Sequence, residues 1–117
     1  MKFASGHVYH VYNQGNNHQK IFYTHADYAR FLALSKDYLL PYADVLAWCL
    51  LPNHFHFMLV ANEKAAQEHQ QGGLLIDALT NGLRKLLSTY CQQFNQCNQR
   101  SGNLFRAKTK AKDLTAQ

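Results

Sequence analysis

His54 and His56, one residue apart in LPNHFHFMLV (51–60), are the side chains best equipped for chemistry in this chain. The stretch alternates like a β-strand, whose side-chain period is two. His54, His56, Met58 and Val60 therefore share one face, and Phe55, Phe57 and Leu59 share the other. If the apolar set packs on helices, both imidazoles look out from the opposite face. Their β-carbons then lie about 6.5–7 Å apart, so ring nitrogens angled toward a common point can share one ion. Imidazole suits Zn, Mn, Ni, Cu and Fe. Two ligands make half a site, and a carboxylate, amide or third histidine has to come from elsewhere. The competing reading is a pair of half-exposed sheet histidines that contact nucleic acid or nothing. Pro52-Asn53 is a turn signal just upstream, which sets the pair at the start of its strand, where a site is both rigid and reachable.

Other reactive residues are less organised. His10 lies in a first strand, but its facing is open at this level, and a structural role fits it equally well. His7, His18, His25 and His69 are scattered and read as surface or turn residues. Cys49, Cys91 and Cys97 are odd in number and lack CxxC spacing, which indicates a reduced, cytoplasmic protein with neither a zinc knuckle nor a disulfide framework. Tyr90, the sole tyrosine downstream of the histidines, is the weak candidate for a nucleophile. Its place on an apolar stripe favours core packing. Trp48, in the middle of a strand, reads as core.

The elements that must position these residues follow from periodicity. GHVYHVYNQ (6–14) alternates and forms strand one. Asn13, Gly15 and Asn17 suit a tight turn with positive φ, and QKIFYT makes a short extended return. Thr24, with Asp27 three residues on, forms a capping box. Tyr28, Phe31, Leu32, Ser35 and Leu39 recur at helical spacing until Pro41. Residues 43–51 are strand two and HFHFMLVA is strand three. A polar, Gln-rich connector (62–73) leads past Gly72-Gly73 to a long helix striped by Leu75, Leu79, Leu83, Leu86, Tyr90, Phe94 and Cys97. Gly82 weakens that helix by about 1 kcal/mol relative to alanine, and Ser101-Gly102 ends it. The order is that of an α+β, ferredoxin-like (RRM-like) sandwich with its last strand short or missing. Helices cover one face of an antiparallel sheet, and the histidines look from the open one.

A chain of 117 residues makes one domain with a modest core. No apolar run approaches the roughly 20 residues of a membrane span. The net charge of +5 is unevenly placed. Residues 78–117 hold Arg84, Lys85, Arg100, Arg106, Lys108, Lys110 and Lys112 against Asp113 alone. Such one-sidedness is the footprint of a polyanion partner, or of a solubilising tail. In an extended strand Arg106, Lys108, Lys110 and Lys112 project from one face.

Three blocks, in order, resemble the HUH-type transposases that act on single-stranded DNA, and most of all their REP-associated tyrosine branch. These are HVYNQGNN (His10–Asn17), His54-Phe55-His56, and the segment from Phe94-Asn95 to RSGNLFRAKTK (ending at Lys110). The resemblance implies that His54 and His56, with a third ligand, bind a divalent ion, Mg or Mn. It further implies that a tyrosine hydroxyl attacks the scissile phosphate and leaves a 5′-phosphotyrosine link and a free 3′-OH. Single-stranded or hairpin DNA would be gripped by Arg84, Lys85, Arg100, Arg106, Lys108 and Lys110, and a homodimer is compatible with it. The family's tyrosine lies on a further helix beyond the basic segment. Residues 1–117 are therefore expected to be a single transposase domain lacking that helix, able to bind metal and DNA but not to cleave, with its last residues mobile or borrowed by a neighbour. The alternative is a non-catalytic RRM-like nucleic-acid-binding module. Against it stand the absence of the RNP-type aromatic pattern and the histidine pair itself.

Overall fold

In the computed structural model, which describes residues 1–115, both α-helices begin at a side-chain cap. Thr24 accepts from the Asp27 backbone and Asp27 reaches back to the Thr24 backbone, so α1 (His25–Leu39) starts with a complete capping box. Phe31, Ser35 and Leu39 form its buried stripe. The second helix, α2 (Ala78–Cys97), starts at Asp77, whose carboxylate accepts from Thr80 N–H at 2.8 Å and from Phe3 N–H at 2.8 Å. One buried carboxylate thus caps the helix and ties down the N-terminus.

The main sheet contains β1 (Val8–Gln14), β2 (Ala43–Leu51), β3 (His54–Ala61) and a short β6 (Lys110–Asp113), in the order β2-β3-β1-β6 and antiparallel throughout. This is the ferredoxin-like arrangement. Phe31 of α1 packs on Phe55 and Phe57 of β3, with ring centroids 5.1 and 6.0 Å away. The helices therefore cover the face that strand parity assigns to the phenylalanines.

Several expectations need correction. The connector and the predicted first turn of the long helix form a separate hairpin, β4 (Glu68–Gln71) and β5 (Leu74–Asp77). Gly72 and Gly73, both at positive φ, make its two-residue turn. Leu75 is consequently 62% exposed and outside the stripe, and Cys97 at the other end is also exposed. Leu79, Leu83, Leu86, Tyr90 and Phe94 are buried as the period predicts. Gly82 has a packing reason: a β-carbon there would collide with the Tyr38 carbonyl of α1, so its absence lets the helices approach. QKIFYT forms no strand; Ile21 and Phe22 are core residues whose N–H groups both donate to Pro52 O. Gly15 has an ordinary φ and is required by the close approach of Gln19, while Asn17 and His18 take the positive φ. Trp48 is 59% exposed. It pairs opposite Phe57 on the helix side, but on edge strand β2, beyond the reach of the helices.

Candidate metal and nucleic-acid site

The site is assembled at the start of β3, where the Pro52-Asn53 turn delivers His54 and His56 to the open face. Their ring centroids are 5.0 Å apart and nearly perpendicular. The Nδ1 atom of His54 lies 2.6 Å from Asn53 Oδ1. A side-chain amide oxygen can only accept, so when His54 donates from Nδ1 in that contact its Nε2 is left free. His56 Nδ1 lies 2.9 Å from His10 Nε2. When His56 donates in that bond, its Nε2 is free as well. Both imidazoles then offer Nε2 with Nδ1 engaged by a second group, the usual state of a metal-ligating histidine.

Antiparallel register explains why His10 arrives. Residues 8–14 of β1 pair with 60–54 of β3, which puts His10 and Tyr12 on the same open face as His56. The His10, Tyr12 and His56 rings stack, with centroids 4.5 Å (His10–Tyr12) and 5.1 Å (His10–His56) apart. Gln14 stands opposite His54 in the register, a second amide beside that of Asn53. Burial, then the neighbouring His54 and His10, pushes the His56 pKa below the usual imidazole value. The ring accordingly stays neutral, and able to ligate, to lower pH. Among the described residues no group of three or more His, Cys, Asp or Glu is placed to hold a metal. The donor set is two imidazoles, which fits an ion that takes its remaining ligands from water, an amide or a phosphate.

The histidines face a cavity of about 370 Å³, also lined by Tyr12, Gln14, Arg106, Lys108 and Lys110. Lys110 and Lys112 sit on β6 beside Tyr12 and His10. The basic segment is anchored by Asn13, a buried strand residue whose Nδ2 donates to Arg106 O and Thr109 Oγ1, both at 3.1 Å. It is held further by Arg106 N–H donating to Gln14 O at 3.0 Å. The expectation of a mobile or exchanged end is corrected through Thr115: β6 pairs with β1, and Leu114 N–H donates to Val8 O at 2.8 Å. Residues 116 and 117 lie outside the described residues.

Other candidates go elsewhere. Arg100 donates to Asn95 Oδ1 and Gln19 Oε1 and stacks over Phe94, so it staples the end of α2. Arg84 and Lys85 are exposed on α2, outside this cavity. Tyr90 is fully buried; its hydroxyl donates to Ile21 O at 2.5 Å, and burial drives its pKa strongly upward. A phenol that is buried, hydrogen-bonded and hard to ionise cannot attack a phosphate, which removes Tyr90 as a nucleophile. Sequence reasoning missed Tyr12, the one tyrosine among the described residues that lines the histidine cavity. Its two-residue spacing from His10 was the available signal.

No family model and no curated protein matches the sequence. Among solved structures, the chain is similar to a REP-associated tyrosine transposase solved bound to a REP hairpin, with a TM-score of 0.60 at 14% identity. The match covers 97% of this chain but only 59% of that one. At this level of identity the likeness establishes the fold: nearly the whole chain is laid out as a ferredoxin-like domain of the kind that transposase contains.

Proposed function

We propose that this chain is the DNA-handling domain of a single-strand DNA transposase-type enzyme, with His54 and His56 holding Mg or Mn beside a scissile phosphate. The observation that carries the reading is the pair of imidazoles, each with Nδ1 engaged, set in a cavity walled by three cations. When bound, the ion supplies Lewis-acid polarisation and orientation of a non-bridging phosphate oxygen. The chain's own residues do the rest. Arg106, Lys108 and Lys110 neutralise phosphates, and Tyr12 and His10 brace the His56 ring. The neighbour's bound hairpin supports single-stranded or hairpin DNA as the partner. In the transesterification this reading implies, a tyrosine O–P bond forms, the P–O3′ bond breaks, and the leaving 3′-oxygen takes a proton. Tyr90 is not that tyrosine. Exposed Leu46 and Trp48 on edge strand β2 offer a surface for a homodimer.

Calorimetry with Mn and anisotropy with a labelled hairpin test the proposal together. Mn binding is expected in the wild type and lost in His56→Ala, with hairpin affinity falling as salt rises. A chain that binds hairpin DNA but no Mn, and is indifferent to His56→Ala, is instead an RRM-like binding module without chemistry. On denaturing gels no covalent protein–DNA adduct is expected. An adduct that persists in Tyr90→Phe and disappears in Tyr12→Phe would identify Tyr12 as a nucleophile and overturn the binding-only expectation.

A further inference from the structure

Position 13 faces the core yet carries an amide. Asn13 shares the helix-facing side of β1 with Tyr9 and Val11, stands opposite Phe55, and is buried like them. A buried amide is costly unless its groups are bonded, and here they are. Its Oδ1 accepts from Gln14 N–H at 2.7 Å, and its Nδ2 donates twice, to Arg106 O and to Thr109 Oγ1, both at 3.1 Å. Those two acceptors bound a single break in the ladder. β1 pairs with β6 as far as Tyr12 opposite Lys110, and the next bridge joins Gly15 to Phe105. Between these pairs two residues of β1, Asn13 and Gln14, face the four from Arg106 to Thr109. The surplus must leave the plane of pairing, as the extra residue of a β-bulge does, and bulges beside active sites re-aim side chains. Asn13 bonds the first and the last of the four, closing the mouth of the excursion where ladder bonds are missing. Arg106, Ala107 and Lys108 are exposed on it, and Arg106 and Lys108 line the histidine cavity. Neither cation is paired with a carboxylate among the described residues.

We propose that Asn13 is a positioning residue for DNA binding: from within the core it staples the 106–109 excursion shut and so fixes where Arg106 and Lys108 stand at the histidine cavity. The inference rests on the DNA-binding reading above. Two long cationic side chains on a loose loop would have to be ordered each time a strand binds; on a stapled loop much of that ordering is already done. An apolar residue at position 13 would pack as well against Phe55 but would leave the excursion without its tie. The competing role is general, with Asn13 serving the stability of β1 and no particular cation.

A double-mutant cycle separates the two roles. Asn13→Ala is expected to weaken hairpin binding about fivefold at low salt and to flatten the log–log salt slope by about one, with Mn binding unchanged. In a chain already carrying Arg106→Ala and Lys108→Ala, the same substitution should change hairpin affinity by less than about twofold, because the cations it positions are gone. Hydrogen exchange at Arg106 N–H, which donates to Gln14 O, should quicken in Asn13→Ala while Leu114 N–H stays protected. Thr109→Val removes one of the two staple bonds from a half-buried position at nearly constant shape, so it should show the same pattern more weakly. It decides the matter if Asn13→Ala does not fold. An equal loss of affinity with and without Arg106 and Lys108, or no loss at all, would overturn the positioning role while leaving the DNA-binding reading intact. A wild-type chain that binds no hairpin would overturn both.

Discussion

On one face of β3, Phe55, Phe57 and Leu59 are closed into the core and at most 2% exposed; on the other, His54 and His56 are half-buried and Met58 is 40% exposed. The first face meets Phe31 and the helices, and its free energy of burial holds the domain together. The second meets a polar cavity with Arg106, Lys108 and Lys110. Strand parity alone separates stability from chemistry here, so a substitution on one face should leave the property of the other intact.

The largest effect is expected on the buried face. Phe57→Ala should cost about 3–5 kcal/mol of stability, read as a lowered urea midpoint, whereas His56→Ala should cost about 1 kcal/mol or less yet abolish Mn binding. Comparable losses of stability in the two variants would break the comparison. On the open face, replacing Arg106, Lys108 and Lys110 together with alanine should weaken hairpin binding by more than about tenfold at low salt and flatten its salt dependence. Mn affinity should hold in that variant, and unchanged DNA affinity would reduce the segment to a plain charged tail.

A finer cut separates ligands from their supports. His10→Ala should lower Mn affinity by about 10–100-fold with little change in stability, as loss of a group that orients a metal-binding imidazole does. Nitrogen-detected NMR of the apo-protein should find the His54 proton on Nδ1. A His54 protonated on Nε2 would contradict the role given to Asn53.

The smallest effect concerns the seam that carries the cations. Asp113 on β6 bonds to His7 Nδ1 at 2.8 Å, and this bond, followed by the Thr115 backbone, holds its pKa below the ordinary carboxylate value. A depressed folded pKa means that the stabilising contribution is present above the unfolded value of about 3.9. It is lost as pH falls through the lower, folded value. Hydrogen exchange at Leu114 N–H should therefore quicken below about pH 4, while amides of β3 stay protected. Equal quickening in both strands would show global loosening instead.

Much of this was legible in the sequence because much of it is local. Ala43–Leu51 and His54–Ala61 have the strand bounds expected on either side of the Pro-Asn turn, the second also from its alternation. Thr24 and Asp27 mark the start of α1, and the four-three stepping from Leu79 to Phe94 marks the buried side of α2. The shared facing of His54 and His56 needs only the two-residue period of a strand. Caps, turns and periods are set by neighbours along the chain, so reading along the chain finds them. The β4–β5 hairpin escaped because Leu75 falls in phase with the helical stripe, and periodicity alone does not distinguish a short apolar strand from a helical turn. What lay beyond the sequence depends on register and layer. His10 reaches His56 across 46 residues only because β1 pairs with β3 in one register and no other. Trp48 is exposed because β2 is an edge strand, Arg100 is tied down by Gln19 from 81 residues away, and Gly82 matters because α1 presses against it. These are contacts between segments distant in sequence, and they exist only once the sheet order and the helix packing have been chosen.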